Sequence, residues 1–175
     1  MIRIISGLYR GHKIKTNNNP SLRPTQDRVK ETLFSVLNDI ENYQVIDLFA
    51  GSGNLGMEAL SRGARFCTMV EKDARQVQLI QENINRLGIK EGNVEILRVD
   101  ALRFLSMKPE ADLMFADPPY KYRYLDRLFQ EFEKLSEGTK IVLEGNKNIE
   151  IPPFFMTKMI SQKVIGETSL SFFRV

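Results

Sequence analysis

The chain has 175 residues, 42% hydrophobic and 27% charged, with only 7 Pro and 11 Gly, which excludes a disordered, collagen-like or low-complexity protein and suits one domain. A single cysteine, Cys67, and a single histidine, His12, exclude a disulfide framework, a Cys/His zinc cluster and, unless His12 serves, any Cys–His or Ser–His nucleophile. The net charge of +3 is uneven: residues 1–30 hold seven bases (Arg3, Arg10, Lys13, Lys15, Arg23, Arg28, Lys30) against Asp27, or +6, and the other 145 hold 18 bases and 21 acids, or −3, so a basic end that suits a polyanion precedes a mildly acidic body.

Residues 2–15 read as two short extended pieces around a glycine-containing turn, a hairpin with basic edges. Asn17–Pro20 is a loop, Arg23–Pro24 is extended, and Thr25 is a suitable N-cap for a helix from Asp27 to about Asn38. That helix places Val29, Leu33, Val36, Leu37 and Ile40 on one face. From residue 43, apolar runs alternate with helical stretches. Strands are expected at 44–49, 66–70, 94–99, 112–116 and 140–143, and helices at 55–62, 74–87, 102–107 and 124–135. The helix over 74–87 is the best specified, with Asp73 and Gln76 as a capping box and Gly88 as its stop. Near-continuous apolar strands alternating with helices mean a parallel sheet covered on both faces. After residue 150 the alternation ends in a hairpin, 156–165 and 169–175, so the sheet is mixed. The expectation is a single domain over 1–175, with a basic hairpin and loop over 1–24 and a helix plus α/β core over 25–175. No apolar run approaches the ~18 residues of a membrane span and the start is too short for a signal peptide, so a cytoplasmic location is expected.

Asp47-Leu48-Phe49-Ala50-Gly51-Ser52-Gly53-Asn54-Leu55-Gly56 follows a strand and opens a helix, with Gly51, Gly53 and Gly56 in the G-x-G-x-x-G pattern. Alone this is a weak signal. Glu71 ends the next strand 20 residues after Gly51, where a carboxylate can accept both hydroxyls of a ribose. A dinucleotide needs its pyrophosphate at the helix start, where Asp47 repels it. S-adenosylmethionine, which has an ammonium and a sulfonium and no phosphate, suits Asp47 better. Asp100 and Ala101, at the end of the third strand, sit where an adenine amine is read; the alternative is that Asp47 and Asp100 are caps.

Asp117-Pro118-Pro119-Tyr120 lies at the end of the fourth strand, beside the switch point where open α/β sheets bind ligands. An exocyclic amine of a nucleobase is a poor nucleophile because its lone pair is delocalised into the ring. Asp117 can accept one N–H and the Pro118 carbonyl the other, and Tyr120 offers a ring face for a flipped-out base. Asp117 also stabilises the positive charge developing on nitrogen. The competing reading is a strand-ending turn. Lys121-Tyr122-Arg123-Tyr124 alternates bases with aromatics, which suits phosphate contact and stacking, although Tyr124 equally suits helix packing. His12 reads as a hairpin surface residue and Cys67 as a small core residue.

Taken together the sequence resembles the RsmD-type 16S ribosomal RNA guanine-N2 methyltransferases nearly end to end. The resemblance is carried by Arg3-Ile4-Ile5-Ser6-Gly7 with Arg10-Gly11, Leu22-Arg23-Pro24-Thr25, Asp27-Arg28-Val29, Glu31-Thr32-Leu33-Phe34, Asp47 to Gly53, Glu58 to Ala64 and Asp117 to Tyr120. It implies a Rossmann-like class I methyltransferase fold, a seven-stranded mixed sheet ending in an antiparallel hairpin, with an N-terminal β-hairpin extension. It also implies S-adenosyl-L-methionine as cofactor, 16S ribosomal RNA or the small ribosomal subunit as partner, and no metal; nothing in the motifs calls for a dimer. Asp47, Phe49, Ala50, Gly51, Ser52, Gly53, Glu71, Lys72, Asp100 and Ala101 are the expected cofactor residues, and Asp117, Pro118, Pro119 and Tyr120 the catalytic set. Arg3, Arg10, Lys13, Arg23, Arg28 and Lys121 are the expected RNA contacts. Asn54 and Glu144-Gly145-Asn146 depart from the family pattern. The alternatives are a DNA or other RNA amino-methyltransferase acting on adenine N6 or cytosine N4, a non-catalytic RNA-binding assembly factor, and a nicotinamide oxidoreductase.

Overall fold

The computed structural model describes residues 2–16, 23–119 and 122–175, apart from the side chains of 23–26. Two short strands, β1 (Ile2–Arg3) and β2 (Lys13–Ile14), pair antiparallel into the expected hairpin. Then come α1 (Arg23–Leu37), β3 (Gln44–Leu48), α2 (Asn54–Ser61), β4 (Phe66–Glu71), α3 (Ala74–Leu87), β5 (Val94–Arg98), α4 (Ala101–Leu105), β6 (Leu113–Ala116), α5 (Leu125–Phe132), β7 (Lys140–Asn146), α6 (Pro153–Met156), β8 (Met159–Ile165) and β9 (Thr168–Arg174). Strands β3 to β9 form one seven-stranded sheet in the order β5-β4-β3-β6-β7-β9-β8. Pairing is parallel from β5 to β7, and β9 is antiparallel to both β7 and β8.

The strand order follows from burial. All four residues of β6 and four of the five in β3 are buried, as central parallel strands covered on both faces require. One face packs under α1, α2 and α3 around Leu33, Phe34, Met57, Ile80 and Phe115. The other packs under α4, α5 and α6 around Phe104, Phe129, Phe132, Phe155 and Phe173. The chain leaves β3 toward β4 and β5, then returns past β3 to β6. The carboxyl ends of β3 and β6 are therefore the switch point where loops part and a ligand can enter.

Several boundaries differ from expectation. Helix α1 begins at Arg23, ahead of Thr25, because Pro24 is tolerated in a first turn whose N–H groups have no intrahelical partner. Strand β7 runs on to Asn146, since β9 supplies ladder partners along its whole length. The one-turn α6, anchored by buried Phe155, stands where no periodicity announced a helix and shortens the first strand of the last hairpin. Asp73 caps α3 as expected, accepting from Arg75 N at 2.7 Å; its own N–H goes to Glu71 Oε1 at 2.9 Å rather than to Gln76.

The N-terminal hairpin is locked down through α2. Glu58 accepts from the backbone N–H groups of Ile5 and Ser6 at 2.8 and 3.1 Å, and Ser61 accepts from Leu8 N at 2.7 Å and Tyr9 N at 2.9 Å. Gly7 is obligatory at this contact: its φ is +82°, and a Cβ there lies 1.7 Å from the Ser61 carbonyl oxygen. Lys30, counted above among the basic end, is buried instead. Its ammonium bonds Glu58 at 3.0 Å, the Arg3 carbonyl at 2.7 Å and Asn54 Oδ1 at 2.8 Å. Burial lowers its pKa, and Glu58 works against that shift.

Candidate active site

Two clefts open at the carboxyl edge of the sheet and share Phe49 and Asp117. The first, of about 260 Å³, is walled by Phe49, Val70, Val99, Ala101, Pro118 and Pro119, with Glu71, Lys72 and Asp100 on its polar side. The second, of about 140 Å³, is lined by the glycine loop from Phe49 to Ser52 and by Lys30, Asp47, Asp117 and Glu144.

The glycine loop is held by the carboxylates around it. Asp47 is buried in β3, and its Oδ2 accepts from Gly56 N at 2.8 Å, tying strand end to helix start. Burial pushes its carboxyl up to about 7 against that hydrogen bond, with Asp117 and Glu71 adding to the rise. Gly53 begins α2 at φ +79°, a left-handed geometry that suits glycine. Glu71 Oε2 accepts from Gly51 N at 2.9 Å while its Oε1 accepts from Asp73 N. Each oxygen keeps a second lone pair for a ligand hydroxyl. Asp100 does cap α4, through bonds from Leu102 N and Arg103 N at 3.0 and 3.4 Å, but both end on Oδ1. It is therefore both a cap and a cleft residue. Asn83, buried in α3, holds the loop from behind by donating to Ser52 O at 3.1 Å, and it bonds both backbone groups of Lys15.

At the other shared wall, two features of Asp117 pull against each other. It is exposed at the mouth of both clefts, yet the protein crowded about its carboxyl desolvates it and raises its pKa. Pro118 is buried behind it, and the Pro119 carbonyl closes a turn by accepting from Tyr122 N at 2.8 Å. Phe49, at φ +61°, is a strained non-glycine residue. Its ring meets Tyr122 edge-on at 5.2 Å, and Tyr122 meets Tyr124 at 6.0 Å. Tyr124 is exposed, not packed in the core, with Arg127 over its ring at 6.0 Å. The Tyr122 hydroxyl is buried without a partner among the described residues, and burial pushes its pKa up to about 12, with Asp100 contributing.

The structure thus brings Asp47, Phe49, Ala50, Gly51, Ser52, Glu71, Lys72, Asp100, Ala101, Asp117, Pro118 and Pro119 onto one sheet edge. Tyr120 and Lys121 lie outside the described residues, as does the side chain of Arg23. Arg10, Lys13 and Arg28 are exposed, and Arg3 pairs with Asp27 at 3.3 Å. His12 is exposed, its Nδ1 3.0 Å from Tyr9 O, and Cys67 is in the core. Sequence reasoning missed Glu58 and the interior position of Lys30, and treated Asn54 and Glu144 only as departures. Asn54 has a local reason, since it accepts from Lys30. Glu144 had a signal: it follows an apolar strand run just as Asp117 does.

A Rossmann-like sheet whose last strands are antiparallel, with an acidic nucleoside-type cleft and a base-amine motif meeting at its switch point, defines a methyltransferase-class α/β protein. A family model described as "Conserved hypothetical protein 95" matches residues 2–174. Ribosomal RNA small subunit methyltransferase D of Escherichia coli K12 is 42% identical over 156 residues, covering 86% of this chain and 78% of that protein. Its namesake from Buchnera aphidicola (Acyrthosiphon pisum) is 46% identical over 157 residues, covering 86% and 81%. Among solved structures, a hypothetical protein of Thermus thermophilus superposes with a TM-score of 0.82 at 29% identity over 100% of both chains. SMU.776, a protein solved in complex with SAH, shares the fold with a TM-score of 0.71 at 16% identity over 86% of this chain and 49% of that one. The chain belongs to the family of ribosomal RNA small subunit methyltransferase D.

Proposed function

We propose that this protein methylates the exocyclic N2 amine of a guanine in small-subunit ribosomal RNA, within the small subunit or an assembly intermediate, with S-adenosylmethionine as donor. The observation that carries the reading is the junction of the two clefts at Asp117, beside a Pro-Pro turn. Family membership supports ribosomal RNA as the substrate class.

The residues of the two clefts together fit S-adenosylmethionine: in the larger, apolar walls for an adenine, Glu71 lone pairs for ribose hydroxyls and Asp100 Oδ2 for an amine; in the smaller, Asp47 beside the glycine loop for a cationic tail. When bound, S-adenosylmethionine supplies an electrophilic methyl on a sulfonium leaving group. Asp117 and the Pro118 carbonyl accept the two N2–H bonds, turning the lone pair out of conjugation and aiming it at the cofactor cleft. Asp117 stabilises the charge that develops as the N2–carbon bond forms, and takes the departing amine proton afterwards. Tyr120 offers the stacking face for the flipped guanine. Arg3, Arg10, Lys13, Arg23, Arg28 and Lys121 meet RNA phosphates, with the hairpin held beside the site by Glu58 and Lys30.

The test is incubation with labelled S-adenosylmethionine and small ribosomal subunits from a strain lacking the family's enzyme, followed by nucleoside analysis and mapping. N2-methylguanosine at one position is expected. Label in DNA, or in adenine or cytosine amines, would contradict the assignment.

A further inference from the structure

Strands β6 and β7 run parallel with Ala116 opposite Leu143, so the next pair in register is Asp117 and Glu144. Both carboxylates line the smaller cleft. The cation facing that cleft, Lys30, already bonds Glu58, the Arg3 carbonyl and Asn54, so it does not neutralise Glu144. No group of three His, Cys, Asp or Glu side chains among the described residues is placed to hold a metal ion. Two acceptors thus stand side by side at the strand ends, without side-chain hydrogen bonds from protein donors among the described residues.

The bases differ beside the reacting amine. In guanine, N2 adjoins N1–H, a second donor. In adenine N6 and cytosine N4, the adjacent ring nitrogen that lies on the pairing edge is a bare lone pair. An acceptor beside Asp117 welcomes the first and repels the other two. We infer that Glu144 is a specificity-determining residue that accepts the guanine N1–H while Asp117 accepts from N2, so that the pair reads guanine and rejects adenine and cytosine. This rests on the methyltransferase reading above and adds to it the means of base selection.

The electrostatics agree. Burial and the adjacent Asp117 raise the Glu144 pKa, and burial raises that of Asp117, so the empty pair resists carrying two charges, with Asp47 close by as a third acid. Guanine, with two donors, relieves that repulsion. A base with a lone pair beside its amine brings only the amine donors and leaves the second carboxylate uncompensated.

The decisive probe is 2-aminopurine, which keeps the 2-amino group and lacks the N1 proton. Once the target position is mapped, subunits are reconstituted with RNA carrying guanine or 2-aminopurine there, and kcat/KM is compared for wild type and Glu144→Gln. Wild type is expected to prefer guanine at least about 100-fold, because a site built around a donor rejects an analogue that lacks it. Glu144→Gln, whose amide can donate to a bare N1, should narrow that preference about tenfold or more, with S-adenosylmethionine affinity unchanged. Equal transfer to the two bases by wild type overturns the inference without any variant, even where guanine methylation itself stands. An unchanged preference in a folded Glu144→Gln protein also overturns it. Absence of transfer to guanine by wild type would overturn the underlying methyltransferase reading as well.

Discussion

The two edges of the sheet hold polar clefts of different character. The groove at the amino ends of the strands, about 640 Å³, is larger than either carboxyl-edge cleft. Its inner polar groups pair with one another: Lys140 donates to the Tyr43 hydroxyl at 2.8 Å, Arg65 to Gln44 Oε1 at 3.1 Å, and Gln44 N to Asp112 at 2.7 Å, while Glu110, Glu137 and Arg174 are exposed to solvent. At the carboxyl edge, Asp47, Asp117 and Glu144 are desolvated acids with raised pKa values, and the Tyr122 hydroxyl has no partner among the described residues. Size does not separate these edges. Desolvation of polar groups does, and the fold maintains it at a cost in stability.

The comparison can be broken most sharply through the buried ion pair that holds the hairpin beside the carboxyl edge. Glu58→Gln leaves the Lys30 ammonium without its counterion, and a loss of about 3–5 kcal/mol in urea unfolding is expected. A loss below about 1 kcal/mol would mean that the pair does not anchor the hairpin.

Asp47 comes next. Its folded pKa of about 7 stands above the unfolded carboxylate value, so the folded state holds the extra proton. Its stabilising contribution is complete below about pH 4 and is lost as pH rises through about 7, an effect bounded at about 4 kcal/mol. Asp47→Asn, whose amide oxygen still accepts from Gly56 N, should be more stable than wild type at pH 8 and bind S-adenosylmethionine more weakly. Parallel pH–stability curves for the two proteins would remove Asp47 from the list of strained site groups.

Reversing Arg10 and Lys13 to Glu should weaken subunit binding about tenfold or more and flatten its salt dependence, with S-adenosylmethionine affinity unchanged. Equal losses of both affinities would erase the division between hairpin and cleft. The smallest effect belongs to the amino edge. Arg65→Ala should change the melting free energy by less than about 0.5 kcal/mol and leave methyl transfer intact. Loss of transfer there would mean that the paired groove is functional after all.

Much of this was legible in the sequence wherever local pattern decides structure. The β3, β4 and β6 runs and the capped α3 follow from apolar periodicity and caps within a dozen residues, and the loop, Glu71 and Asp117 follow from their positions at strand ends. What escaped depends on distant partners. Lys30 reads as surface charge because Glu58, 28 positions away, is what permits its burial. Glu144 ends an apolar run as Asp117 does, but its nearness to Asp117 comes from the β6–β7 register. The short α6 exists because Phe155 fills a cluster with Phe129, Phe132 and Phe173.

The central claim, that the cofactor site and the base-amine site meet at Asp117, is tested most directly by calorimetric titration of S-adenosylmethionine into wild type and Asp117→Ala, with methyl transfer to small subunits measured on the same samples. The account predicts cofactor affinity within about threefold and transfer reduced about 10²–10³-fold or more. Retained transfer, or a cofactor affinity that falls as far as the rate, would contradict it.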